Sequence, residues 1–281
     1  MTWRLSVRHS TQYRYEGVAG SSYNEARLEP RSDRHQTVLS SKLEVTPSAR
    51  VSRHVDYWGT VVHHFDLQVP HAELSVVSST VVETGTSPAG PGDVSWDDLG
   101  DAALMDRFCE VLAPTETVTP DDTIVAIADG IRSGAATPAA AAEAAVGWVH
   151  DHLEYLPGST GVHSTAAEVL GSGSGVCQDF AHLSLAILRS LGIPSWYVSG
   201  YLHPTHDAEV DEPAIGESHA WVAAWTGHVW PLDPTSMVDV GERHLRVAAG
   251  REYHDVPPFR GVYAGDATQS LTAKVEITRT G

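Results

Sequence analysis

The chain has 281 residues, enough for one large domain or two ordinary ones, and its 42% hydrophobic and 19% charged content is that of a globular rather than a disordered protein. Its 36 acidic residues outnumber 18 basic ones, and the formal net charge of −18, spread along the chain, disfavours nucleic acid and anionic membranes as partners. No stretch reaches the roughly 18 apolar residues of a membrane span, residues 1–9 alternate instead of forming an apolar leader core, and two cysteines, Cys109 and Cys177, imply neither a disulfide framework nor a metal-type pair, so a soluble, cytoplasmic protein is expected.

Residues 1 to about 85 read as β. Leu5/Val7, Tyr13/Tyr15, Leu43/Val45, Val61, Phe65/Leu67/Val69 and Leu74/Val76 alternate with polar neighbours, and turn-rich spacers such as 16–20 separate the runs. Strands in series with short turns predict an N-terminal β-sandwich-like domain over 1–85. Residues 86–100 read as a linker, because 86–92 are Thr, Ser, Pro, Ala and Gly only.

The second domain is expected over 101–281 and opens with helices. Leu104, Phe108, Val111 and Leu112 stand at helical spacing, with Cys109 inside that helix as a structural residue. Thr119-Pro120-Asp121-Asp122 predicts a helix start, with Thr as cap, Pro in the first turn and acids at the positive dipole end. Thr137-Pro138 predicts another, whose stripe runs Ala142, Ala145/Val146, Val149, Leu153 and Leu156.

A Gly-rich approach, Gly171-Ser172-Gly173-Ser174-Gly175, leads to Cys177. Phe180, Leu183, Ile187/Leu188 and Leu191 then recur at three or four residues, predicting a helix ended by Gly192 and Pro194. Residues 195–202, 219–225 and 229–232 read as strands, and a last one runs from Leu271 to Thr278.

A thiol attacks carbonyls only as thiolate, so its site must favour negative charge. A helix N-terminus does so through unpaired N–H groups and the dipole, and Cys177 stands at one. The first-turn N–H groups, that of Cys177 included, could also hold an oxyanion. Free cysteine is equally at home as a small core residue. A nucleophilic thiol needs a base, and the base an orienting group. His219 opens one strand of the expected hairpin and Asp233 ends the other. A three-residue loop at 225–227 would pair 224 with 228 and set 219 opposite 233, on one face of the sheet. A two-residue loop would turn Asp233 to the other face. Alone, each has a bland reading: the chain has 16 histidines, and Asp233-Pro234-Thr235 can simply begin a turn.

The blocks Gly175-Val176-Cys177-Gln178-Asp179-Phe180-Ala181-His182, Arg189-Ser190-Leu191-Gly192-Ile193-Pro194, Tyr197-Val198-Ser199-Gly200-Tyr201, Ser218-His219-Ala220-Trp221-Val222 and Asp233-Pro234-Thr235 closely resemble the bacterial transglutaminase-like superfamily. Tyr13-Arg14-Tyr15 and Leu28-Glu29-Pro30-Arg31 resemble the N-terminal region of such proteins, and 250–258 their C-terminal signature, with Glu252 where the family more often has Asp. The resemblance implies an α+β fold: a papain-like catalytic core, with a Cys-bearing helix packed on an antiparallel sheet, beside the N-terminal β-rich domain. It implies Cys177 as nucleophile, His219 as base and acid, and Asp233 as orienter. The implied activity is a transglutaminase-like cysteine protease or amidohydrolase acting on a peptide or protein amide through an acyl-enzyme. The alternatives are a protein-glutamine transglutaminase and a catalytically silent peptide-binding module.

Tyr155 resembles a family position near the site and could pack or donate a hydrogen bond. Gln178 and Asp179 fall in the first turn after Cys177, where helix-start electrostatics is the plainer role for Asp179. Trp221 shares a face with His219 in a regular strand and could wall the site. Tyr155, Gln178 and Trp221 are therefore the candidate oxyanion or pocket residues. His203, His206, Asp207 and the His63-His64 pair lack metal-site spacing, and the glycine-rich run lacks the Lys-Ser/Thr of a phosphate loop, so neither metal nor cofactor is expected.

Overall fold

The computed structural model describes residues 2–85, 90–216, 218–266 and 268–281. The alternating N-terminal segment forms six strands: β1 (Trp3–Ala19), β2 (Ser21–Glu29), β3 (Gln36–Thr46), β4 (Ser52–Val55), β5 (Val61–Leu67) and β6 (His71–Thr84). In β1 the odd-numbered positions from Trp3 to Thr11 are buried and Arg4, Arg8 and Arg14 are exposed, the period-two burial of a sheet with one covered face. Of the expected linker, residues 86–89 lie outside the described residues.

Among the described residues seven helices follow: α1 (Trp96–Leu99), α2 (Ala102–Arg107), α3 (Cys109–Leu112), α4 (Asp122–Gly134), α5 (Pro138–His152), α6 (Ala166–Ser172) and α7 (Cys177–Ser190). Three expectations need correction. The helix read through Leu104 and Leu112 breaks at Phe108 (φ −110°, ψ 14°), and Cys109, first residue of the short α3, is exposed. The helix assigned to Thr119-Pro120 starts later, because Asp121 caps it by accepting the Ile124 N–H at 2.9 Å while the Thr119 hydroxyl donates to the Thr115 carbonyl. The glycine-rich run is not all loop. Residues 171 and 172 end α6, which a Thr165/Glu168 capping box begins and Gly173, at φ +68°, closes.

Between the helices, β7 (Glu154–Tyr155) pairs in parallel with β8 (Ser174–Gly175), so the chain segments before and after α6 meet at the start of α7. Helix α5 begins as expected, with Thr137 accepting the Ala140 N–H and Pro138 in the first turn.

After α7 come β9 (Ser195–Leu202), β10 (Pro213–Gly216), β11 (Ser218–Trp225), β12 (Val229–Leu232), β13 (His244–Gly250), β14 (Phe259–Ala264) and β15 (Gln269–Arg279). One sheet runs β12-β11-β9-β13, and α7 packs on it. The two sheets of the sandwich run β10-β15-β1-β6-β3 and β14-β2-β5-β4. Strand pairing therefore crosses the division expected at residue 85: β15 pairs with β1, and β14 with β2.

Helix α7 is buried on every side from Asp179 to Arg189 rather than along one stripe. Leu183, Leu185, Ile187 and Leu188 are wholly buried, each contributing about 1.5–3 kcal/mol. Its buried Arg189 donates from Nη1 and Nη2 to the Ala113, Ser195 and Arg251 carbonyls, which offset part of the cost of burying its charge. The architecture is α+β: a helix carried into the core of a helical layer, backed by an antiparallel sheet, with a β-rich sandwich beside it.

Candidate active site

Cys177 is the first residue of α7 and is partly buried. Val176, extended at φ −112° and ψ 179°, precedes it but has no polar side chain with which to cap the helix. The cap comes from within: the Asp179 carboxylate reaches back to the Val176 N–H at 2.7 Å and accepts the Thr160 hydroxyl at 2.6 Å. Burial pushes the Asp179 carboxyl up, against the pull of these two hydrogen bonds. The fully buried Asp179 thus fixes the start of α7 and ties it to the loop after β7. The Cys177 Sγ lies 3.9 Å from the Ser218 carbonyl oxygen.

His219 and Asp233 meet, but not by the expected register. The turn is 226–228, with the Thr226 N–H donating to the His228 carbonyl, and Trp225 pairs with Val229. Trp225 stays in the ladder because its N–H donates to the Pro194 carbonyl and its ring packs on Phe108. One step beyond the Val222–Leu232 pair, Asp233 comes opposite Trp221 rather than His219. The turn moves by one residue and the pairing therefore by two, so the face is kept, and a diagonal pair is within reach of long side chains. His219 Nε2 donates to Asp233 Oδ2 at 2.8 Å, and the Cys177 thiol is near enough to the ring to raise its pKa. Burial would lower the imidazole pKa, but the hydrogen bonds and negative charges of Asp233 and Cys177 raise it to about 9.

The buried Asp233 carboxylate is gripped from all sides. Its Oδ1 accepts the Thr235 and Ser236 N–H groups, and its Oδ2 accepts His219, His244 and the Ser236 hydroxyl. Burial pushes the carboxyl up, and the hydrogen bonds from His219 and His244 outweigh it, holding Asp233 well below the usual carboxylate range.

His244 is the group that sequence reasoning missed. It begins β13, is 5% exposed, and contacts the Trp221 ring edge-on at 5.3 Å. The Gly241 N–H points at its Nδ1 at 3.3 Å, so Nε2 carries the proton and donates to Asp233 Oδ2 at 3.3 Å. Burial lowers its pKa, keeping the ring neutral. His219, Asp233 and His244 bring one ligand-type atom each within 4.8 Å of one another, a cluster that the expectation of no metal had not weighed. Both ring nitrogens already address one carboxylate oxygen, so the cluster is complete as a hydrogen-bonded unit.

The remaining candidates divide. Trp221 is 2% exposed and stacks on His219 at 6.0 Å between ring centres, shielding the imidazole from the sheet side. Gln178 spends its amide on the Val162 carbonyl at 3.2 Å. Tyr155 is 43% exposed and lines the cleft beside Cys177. Glu252 is buried and is not among the described residues that line the sulfur's cleft. Its Oε2 accepts the Thr115 hydroxyl and both the N–H and hydroxyl of Thr117, so the longer side chain ties the 115–117 loop to the region after β13.

A cleft of about 330 Å³ opens at Cys177, between the loop after β7, Ser218 and the five-stranded sheet. An acyl group entering it meets a sulfur at a helix N-terminus, beside an imidazole whose far nitrogen is anchored. That arrangement can support thiolate attack and proton transfer to a leaving group.

Residues 125–234 match the transglutaminase-like superfamily, and residues 5–83 the bacterial transglutaminase-like N-terminal region. An uncharacterized protein of Mycobacterium leprae is 49% identical, over 99% of this chain and 99% of its own. An uncharacterized protein of Mycobacterium tuberculosis is 32% identical, over 98% of this chain and 93% of its own. A solved structure from Cytophaga hutchinsonii, described as a candidate cysteine protease, superposes with a TM-score of 0.80 at 21% identity, covering 100% of this chain and 92% of that one.

Proposed function

The chain belongs to the transglutaminase-like superfamily, and from that premise we propose that it is a cysteine-nucleophile hydrolase of peptide or protein amides, with Cys177 as nucleophile, His219 as base and acid, and Asp233 as orienter. The single observation carrying this reading is His219 itself, hydrogen-bonded at 2.8 Å to a buried carboxylate and close enough to the thiol at the start of α7 for the sulfur to raise its pKa.

The chemistry follows from the groups. Cys177 Sγ attacks the amide carbonyl carbon, and the charge gathering on the oxygen faces the N-terminal end of α7. The His219 imidazolium gives its proton to the nitrogen, the C–N bond breaks, and an amine leaves a thioester behind. Water then adds with His219 taking its proton, and the C–S bond breaks to give a carboxylic acid and the resting thiolate–imidazolium pair. Asp233 holds the imidazole in the tautomer and orientation this needs, and stabilises its charged form.

If an amine replaces water, the same intermediate makes a transglutaminase. Hydrolysis ranks first because the Cytophaga neighbour is described as a candidate cysteine protease. The test is to incubate the protein with a peptide library, with and without an added primary amine, and follow released amine by mass spectrometry. Amine incorporation without hydrolysis would establish acyl transfer instead. A third reading, a catalytically silent peptide-binding module, predicts that Cys177 is alkylated no faster than a free peptide thiol and that His219→Ala changes nothing.

A further inference from the structure

We propose that the β-sandwich supplies one wall of the acyl-donor site and restricts it to uncharged side chains, through Gly216, Val275 and His9, a cross-strand row that faces Cys177 over the cleft. This rests on the reading of Cys177 as the nucleophile.

The row is fixed by register. Gly216 pairs with Val275, and Val275 with His9, so the three are neighbours on β10, β15 and β1. Directly opposed residues share a face, and Ala273, two positions before Val275, joins them. All four line the cleft that Cys177 opens into. The face is held in place at both ends. On β1, Trp3, Leu5 and Val7 of the same face pack into the core that surrounds α7. At the cleft, His9 Nδ1 is hydrogen-bonded to the Tyr201 hydroxyl at 2.8 Å, and Tyr201 pairs with Ser218, whose carbonyl oxygen lies beside the sulfur. The wall therefore keeps a set distance from the thiol.

Its chemistry sets the specificity. No Asp, Glu, Lys or Arg occurs among the described residues lining the cleft, on a chain of net charge −18. His9 is buried between Tyr201 and Thr11, and burial lowers its pKa to about 4, so it is neutral near pH 7. A charged side chain entering here would lose water and find no counter-charge among the described lining residues, a cost that an uncharged one avoids. At about 330 Å³ the cleft is near the small end of ligand sites, room for the side chain beside the attacked carbonyl and little more. Ala273 is exposed on the wall, so a larger group there intrudes on that space.

The experiment is a series of N-acetyl aminoacyl chloromethyl ketones differing only in the side chain next to the carbonyl. Sγ forms a bond to the methylene carbon as chloride leaves, and the second-order rate is read from the mass of the intact protein. Alanyl and valyl reagents should react at least about 10-fold faster than lysyl and aspartyl ones. Ala273→Trp should slow every ketone about 10-fold while leaving iodoacetamide, which is too small to need the wall, unchanged. Ala273→Glu should raise the lysyl rate relative to the alanyl rate. Equal rates across the wild-type series overturn the proposal, whether or not the variants fold, and so do folded variants with wild-type preferences. A slow iodoacetamide rate indifferent to His219→Ala would instead overturn the nucleophile reading beneath it.

Discussion

Asp233 accepts five hydrogen bonds, and their distribution decides what each substitution near it does. Asp233→Asn cannot accept from both imidazoles in the same way and turns His219 toward the wrong tautomer. Turnover is expected to fall by about 10³- to 10⁴-fold, measured as kcat against any amide the wild type cleaves. His244 acts only through Asp233, so it is a positioning residue. His244→Leu should lower kcat by about 10-fold with KM unchanged, whereas His244→Gln, which can still donate to Asp233, should recover most of it. Equal kcat in both variants would show that the ring merely fills space. On the proposed mechanism the raised His219 pKa predicts an alkaline limb: kcat/KM should decline as pH rises through about 9, where the imidazolium loses the proton it would give to the leaving amine. Stability carries the same sign. The folded pKa lies above the unfolded value, so the contribution of the charged ring is complete below about 6.5 and lost as pH climbs through 9. Of the candidate site, the positions of Cys177, His219 and Asp233 were legible because each stands at a boundary the sequence marks: a helix start and the two ends of a hairpin. His244 was not, because nothing local distinguishes it among 16 histidines, and its role depends on β13 reaching Asp233 from 11 residues further along the chain.

At the scale of elements, the start of α7 is the feature most exposed to small changes. A Cβ on Gly175 would fall 2.6 Å from the Asp179 Cβ and 2.8 Å from its Oδ2, inside the bond that caps the helix. Gly175→Ala should therefore cost about 1–3 kcal/mol and slow alkylation of Cys177, read together by thermal unfolding and an iodoacetamide time course. An unchanged alkylation rate would separate the cap from the reactivity of the sulfur. The same segment shows where sequence reading stops. The alternation of strands and the 3.6 period of α5 were plain, because one covered face imposes them, whereas the stripe read in α7 belongs to a helix buried on every side. The turn at 226–228 was placed one residue early, since the Pro194 carbonyl that keeps Trp225 in the ladder comes from another part of the chain. Helix α6 carried its Thr165/Glu168 signal in full view, but glycines nearby suggested loop.

On the scale of the whole molecule, β1 couples everything. One face of this strand contributes to the core around α7 at Trp3, Leu5 and Val7, to the cleft at His9, and to the core between the sandwich sheets at Tyr15. A fragment of residues 1–85 lacks β14 and β15 and bares the apolar end of that face, so it should fail to show a cooperative unfolding transition, whereas the full chain should show one by circular dichroism. The composition of the first 85 residues announced a β-rich region correctly, but partners drawn from residues 259–279 are a long-range property that no local pattern carries. Helix α7, enclosed on every side from Asp179 to Arg189, has a further consequence for solvent access. Its amide protons can meet deuterated water only when the entire protein opens, so their exchange rates report the global free energy of unfolding. The exposed loop ahead of α6, pinned to α7 through Thr160 and Gln178, should exchange far sooner, and the gap between the two rates measures how much freedom the mouth of the cleft keeps while its floor stays shut.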